Sequence, residues 1–341
     1  MKNFIKIILL FFITLNAVSQ PKKTEIESFL SSKISIRALV LDKNKLYFAG
    51  SENQFGSVDL KSKKIELHKI VNDTLKLEFR SIAQTQKFIF VLSVANPALL
   101  YKIDKKTLIP KLVYEERNAK VFYDSMQFLD NKFGVAMGDP IENGFCVITT
   151  SDGGETWTKT PDANLPALAS GEGAFAASNS SLVIKKNKIG MASGGKKTRV
   201  FCSENFGKTW SASETPIIQG AAMTGIFTMD FYDQNIGFIA GGDYEKPLQN
   251  SGNKAITIDG GKTWNLVSEN AGFGYASCVK FIAKSGGKKL VSVGAMGVYF
   301  SEDSGQNWKQ ISVEKDLYSI QILDEKSFIA AGRNKILKFS F

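Results

Sequence analysis

Seven short apolar runs, each ending in a small residue, punctuate the chain: LYFAG (46–50), FIFVLS (88–93), FGVAMG (133–138), IGMASG (189–194), IGFIAG (236–241), LVSVG (290–294) and FIAAG (328–332). Each follows, across a polar turn, a second strand-like segment: IRALVL, FRSIAQ, YDSMQFL, AASNSSLVI, TMDFY, ASCVKFI and YSIQIL. A third strand comes next, with VFCS, AITI and GVYFS as clear cases, and then a weaker fourth. Past the N-terminal apolar run no stretch carries the 3.6-residue apolar period of a helix.

A repeat of this kind constrains the fold strongly. One small sheet cannot bury both of its faces, but four-stranded sheets set around an axis bury each other's apolar sides. The expectation is an all-β chain, a seven-bladed β-propeller of four-stranded antiparallel blades in a single domain over 20–341. The last unit ends at Phe341 after three strands. The segment TEIESFL (24–30) is expected to supply the missing strand, completing the last blade, closing the ring and covering two edges that would otherwise invite association.

All four tryptophans close copies of one octapeptide: TSDGGETW (150–157), SENFGKTW (203–210), TIDGGKTW (257–264) and SEDSGQNW (301–308). Asp152, Asp259 and Asp303 suit a turn in which the carboxylate accepts backbone N–H groups, and Asn205 offers an amide oxygen for the same purpose. Gly154, Gly207, Gly261 and Gly305 supply the positive φ of a tight hairpin. Trp157, Trp210, Trp264 and Trp308 then begin the outer strand and pack between blades. A catalytic constellation is needed once, whereas a hairpin clamp is needed once per blade, so the octapeptides read as frame.

These four copies resemble the Asp-box, or BNR, repeat of sialidases and related propellers. SIRALV, FRSIA, NPALLYKI, MGDP, GGDY and GYASCV strengthen a second resemblance, to exported propellers related to the photosystem II stability/assembly factor, over essentially the whole chain past residue 20. The resemblance implies a partner-binding role during maturation of a larger complex. Bacterial members often carry an oxidoreductase label.

Residues 1–19 read as a secretory signal: Lys2 and Lys6, an apolar run over 7–15, and Ala17-Val18-Ser19 before Gln20. No cysteine follows that run, so the expected product is exported to periplasm or medium without a lipid anchor, has no transmembrane segment, and is monomeric. The net charge of +10 comes from 43 basic residues of which only five are arginine. The lysines cluster at turns and strand edges, a pattern of solvated loops rather than a nucleic-acid surface. Cys146, Cys202 and Cys278 are odd in number and far apart, so they read as small buried hydrophobes, with a single Cys146–Cys202 bridge as the alternative.

Cofactor chemistry finds no motif. GEGAFA (171–176) follows loop sequence and enters no helix, unlike a dinucleotide fingerprint. GMASGGKK (190–197) lacks the Ser or Thr of a phosphate loop and leads into a strand. His68 is the only histidine, which removes serine triads and the histidine-based zinc and iron sites. The octapeptides lack the ligand ladder of a calcium loop. No metal or cofactor is expected.

The face opposite the octapeptides gathers Arg37, Arg80 and Asp124 at matching inner-strand positions, Tyr275 and Tyr318 near two further strand starts, and Asp139, Glu172, Arg199, Asp243 and Tyr244 around them. Three uses of that mouth stay open. It can be a solvated rim, or a binding site in which arginine forks engage a protein or a polar, anionic ligand such as a glycan. It can also be a glycoside-hydrolase site built on Asp124, Asp139, Glu172 and Asp243. Sialidases share these residue types, but their Phe/Tyr-Arg-Ile-Pro stretch has no full counterpart here.

Overall fold

A computed structural model describes residues 24–71 and 74–341. The expected secretory signal lies outside the described residues. Almost all regular structure is antiparallel β, with one short 3₁₀ turn at Asp162–Asn164. Among the described residues no helix is long and apolar enough to cross a membrane.

The strands of the described residues form six hydrogen-bonded sheets, four of four strands and two of six. The expected count of seven is therefore corrected to six. The reason lies in the 18-residue strand Glu25–Asp42. Its first half pairs with Ser327–Ser340, from Glu25 opposite Ser340 to Ser35 opposite Arg333. From Ile36 onward it pairs with Lys45–Gly50. The first and last units thus share one uninterrupted strand and merge into a single sheet. The segment 24–30 does meet the C-terminal strand.

Each repeated apolar run forms the second strand of its unit, and its terminal small residue marks a defect in the ladder. Opposite that residue the inner strand carries one extra amino acid, at Arg37, Arg80, Asp124, Phe227, Ser277 and Tyr318. A Cβ on Gly332 would collide with the Asp316 carbonyl, and one on Gly241 with that of Gly225. Small residues there let the bulged strand approach, and a bulge re-aims the side chain it carries.

The fourth unit departs from this scheme. AASNSSLVI is strand only over Leu182–Lys185, because residues 177–181 run across the convergence of the inner strands. Asn179, at φ 60°, donates Nδ2–H to the Ile82 carbonyl at 2.8 Å and accepts the Met126 amide at 2.8 Å. Ser180 donates to Thr228 at 2.8 Å and Ser181 meets Ser125 at 2.7 Å. The Ala177 carbonyl accepts Arg37 at 3.1 Å. One short segment so bonds to strands of four other sheets.

The octapeptides form the clamps their composition suggests. Asp152 Oδ1 accepts the Thr150 hydroxyl at 2.8 Å and the amides of Glu155 and Thr156 at 3.0 and 3.1 Å, while the Thr150 hydroxyl accepts the Gly154 amide at 3.0 Å. Asp259 and Asp303 repeat the pattern, and Asn205 does so through its amide oxygen. Trp210, Trp264 and Trp308 each donate Nε1–H to the glycine carbonyl of their own turn. Trp157 packs edge-on to Phe90 of the neighbouring sheet at 6.3 Å. Two buried lysines that the sequence does not single out tie neighbouring units together: Lys102 reaches the Gly153 carbonyl at 3.2 Å and Lys188 that of Gly260 at 2.8 Å.

The three cysteines are free, with Cys146 and Cys278 buried and Cys202 half-buried. His68 is half-buried on its outer strand and stacks on Phe55 at 5.3 Å.

Candidate functional site

A cleft of about 650 Å³ opens at the mouth away from the octapeptide turns. Arg37, Arg80 and Lys120 give it cationic groups, and Asp139 a carboxyl. Phe175, Phe227, Tyr244 and Tyr275 make an aromatic wall. Phe175 and Phe227 stack at 3.8 Å with an interplanar angle of 5°. Tyr275 stands edge-on to Phe227 at 4.8 Å and to Tyr244 at 5.1 Å. Tyr244 is half exposed while Phe227 is buried beneath it, so the wall has a fixed base and an open lip.

The bulges build this site. Arg37, Arg80 and Phe227 are extra residues of their inner strands, and each lines the cleft. Arg37 packs its guanidinium over the Tyr318 ring at 4.0 Å, and its Nε–H is buried without a partner. Burial and the nearby Arg80 both disfavour its charged form relative to a free arginine. Arg80 is half-buried and pairs through Nε with Glu78 at 2.8 Å. Burial pushes the Tyr275 hydroxyl up to about 12, so it stays neutral, and it accepts the Ser277 hydroxyl at 3.4 Å.

The four candidate carboxyls have separate fates. Glu172 is buried and bound at both oxygens: Arg199 approaches it through Nε at 3.0 Å and Nη2 at 2.5 Å, Ser193 donates at 2.6 Å, and the Ala169 amide at 2.8 Å. Asp243 ends its strand and accepts the amides of Glu245 and Lys246 at 2.9 and 3.2 Å, which makes it a turn anchor. Asp139 lines the cleft and accepts the Ala174 amide at 2.8 Å, and burial raises its pKa. Asp124 is fully buried, and neither oxygen has a hydrogen-bond partner. Burial first, and the Asp139 charge second, hold its carboxyl well above the usual range, with Arg80 opposing.

Of the four, Asp139 and Glu172 line the cleft, and Glu172 is already paired with Arg199. Arg199 is consumed by Glu172, and Tyr318 lies under Arg37 rather than on the cleft. No group of three or more His, Cys, Asp or Glu residues placed to hold a metal occurs among the described residues.

The sequence reading missed Phe175, Phe227 and Lys120. Phe227 was findable, since it occupies the same bulge position as Arg37, Arg80 and Asp124. Phe175 was not, because GEGAFA carries no periodic signal and its place depends on the Asp139 bond to Ala174.

Sheet topology and mouth together define the class: an all-β propeller of four-stranded antiparallel blades. No protein-family model matches the sequence, and no curated protein does. Among solved structures the chain is similar to YCF48 bound to D1 peptide, with TM-score 0.69 and 13% identity over 95% of this chain and 97% of the other. It is similar also to YCF48 from Cyanidioschyzon merolae, with TM-score 0.67 and 12% identity over 92% and 98%. The GH74 xyloglucanase from Xanthomonas campestris gives TM-score 0.65 and 11% identity, over 92% of this chain and 53% of that one. At such identities the likeness is one of fold.

Proposed function

We propose that this protein is an exported, monomeric, partner-binding propeller, a single domain over 20–341, whose mouth cleft holds a segment of another protein. The observation that carries the reading is the pairing of Arg37 and Arg80 with an aromatic wall, while Glu172 and Asp243 are already committed to internal bonds. A cleft of that chemistry favours a ligand bearing an anionic group beside an apolar one. YCF48, whose fold is similar, is bound to D1 peptide in one solved structure, which supports reading the cleft as a peptide site. The Glu25–Ser35 ladder with the C-terminal strand is, in this reading, the joint that closes the ring and keeps the mouth rigid. The octapeptide turns, in the manner of Asp-boxes, hold the opposite face. Export rests on the character of residues 1–19.

Partner capture tests the proposal. The mature protein and an Arg37→Ala/Arg80→Ala form are used as bait on native extracts, and bound proteins are identified by mass spectrometry. Enrichment of the same partner by the native form alone supports the cleft. Equal recovery with both forms overturns it.

A further inference from the structure

Asp124 is the one candidate carboxyl that the fold neither pairs nor exposes. It is the bulged residue of Tyr123–Phe128, set between the Tyr123–Gly138 and Ser125–Met137 pairs. Its two oxygens are buried without a partner. An ionised carboxylate in such a place is costly unless paired. Two charged groups act on it, each from a neighbouring element and each lining the cleft: Asp139, from the turn after Gly134–Gly138, and Arg80, from Phe79–Gln84. Arg80 is itself held at the rim by Glu78 and acts on Arg37. Of the other charges, Glu172 is cancelled by Arg199, and Lys120 stands at the exposed edge.

We propose that Asp124 is a specificity-determining residue of the cleft: as a neutral acid it leaves the charge of Arg80 unopposed from the inner strand, so that the cleft attracts an anionic group, and on losing its proton it weakens that attraction. The proposal rests on the cleft being a binding site. The proton that leaves Asp124 passes to solvent and no bond is made to the ligand, so this residue acts on charge alone.

Two independent readouts test it. In the first, affinity for a labelled Gly-Glu-Phe-Glu-Gly peptide is measured from pH 5 to pH 9 with the native protein and Asp124→Asn. The peptide's acids are ionised over most of this range. A unit charge acting on a bound anion at an effective dielectric near 20 changes affinity by about tenfold. The native protein is expected to lose about that factor as pH rises, and Asp124→Asn to lose much less. Lys254, pushed down to about 8 by burial, titrates in both forms and so cancels in the comparison. Equal slopes in the two forms overturn the role of Asp124. Absence of peptide binding at every pH, with both forms folded, overturns the cleft reading beneath it.

The second readout needs no ligand. Difference infrared spectra between native protein and Asp124→Asn at pH 7 should show the carbonyl stretch of a protonated carboxyl in the native form. Its absence overturns the proposal even where the peptide binds.

Discussion

Glu172 and Arg199 meet as a fork on a fork, Nε to Oε1 at 3.0 Å and Nη2 to Oε2 at 2.5 Å, with the carboxylate side chain wholly buried. A residue that by position belongs among the mouth acids is thereby a brace between the 171–174 segment and the strand Arg199–Ser203.

Arg199→Ala leaves that carboxylate buried without its counter-charge. A loss of about 3 to 5 kcal/mol is expected, measured as a shift in denaturant midpoint at pH 7. A loss under about 1 kcal/mol would show that the pair is a surface ornament.

The octapeptide tryptophans should differ in worth. Trp264 is 7% exposed and Trp157 8%, whereas Trp210 and Trp308 are half-buried. Trp264→Ala should cost about 3 to 5 kcal/mol, and Trp210→Ala distinctly less. Equal costs would mean that burial between sheets is not what these rings contribute.

The clamps predict acid sensitivity. Asp259 is held below its ordinary range first by the Thr263 hydroxyl and then by the Thr263 amide. At Asp152 burial acts upward, but hydrogen bonds from Thr156, Thr150 and Glu155 outweigh it and bring the carboxyl to about 2. A group whose folded-state value is depressed adds stability above its unfolded value, near 4, and loses it as pH falls through the folded one. The melting temperature should therefore fall between about pH 4 and pH 2. Asp259→Asn should flatten that fall, since Asn205 already serves one clamp as an amide. An unchanged acid limb would exclude the clamps as its cause.

Asn179 joins two sheets through a single side chain. Asn179→Ala strands the Ile82 carbonyl and the Met126 amide and forces alanine into a left-handed conformation, for a loss of about 2 to 4 kcal/mol. Hydrogen exchange at the Met126 amide should accelerate. Protection at that amide equal to the native level would contradict the cross-axis bond.

Much of this molecule is legible in its sequence. Apolar runs of strand length, the small residue ending each, and four copies of a Thr/Ser-Asp/Asn-Gly-Trp turn are local patterns, and they determine the all-β repeat and the clamps. The order of the chain also foretold that segment 24–30 would meet the C-terminal strand. What only the tertiary structure decided depends on pairing between distant residues. Strand Glu25–Asp42 contains no glycine or proline to break it, yet whether it serves one ladder or two is settled by Arg333 and Gly50 coming to its two sides. The same holds at the mouth. Arg37, Arg80, Asp124 and Phe227 occupy one kind of position, but their neighbours in other sheets make one a cleft-lining cation, another a buried acid and another the base of an aromatic wall. Residue type sets what a side chain can do, and the burial and charge supplied by other sheets set which of those things it does.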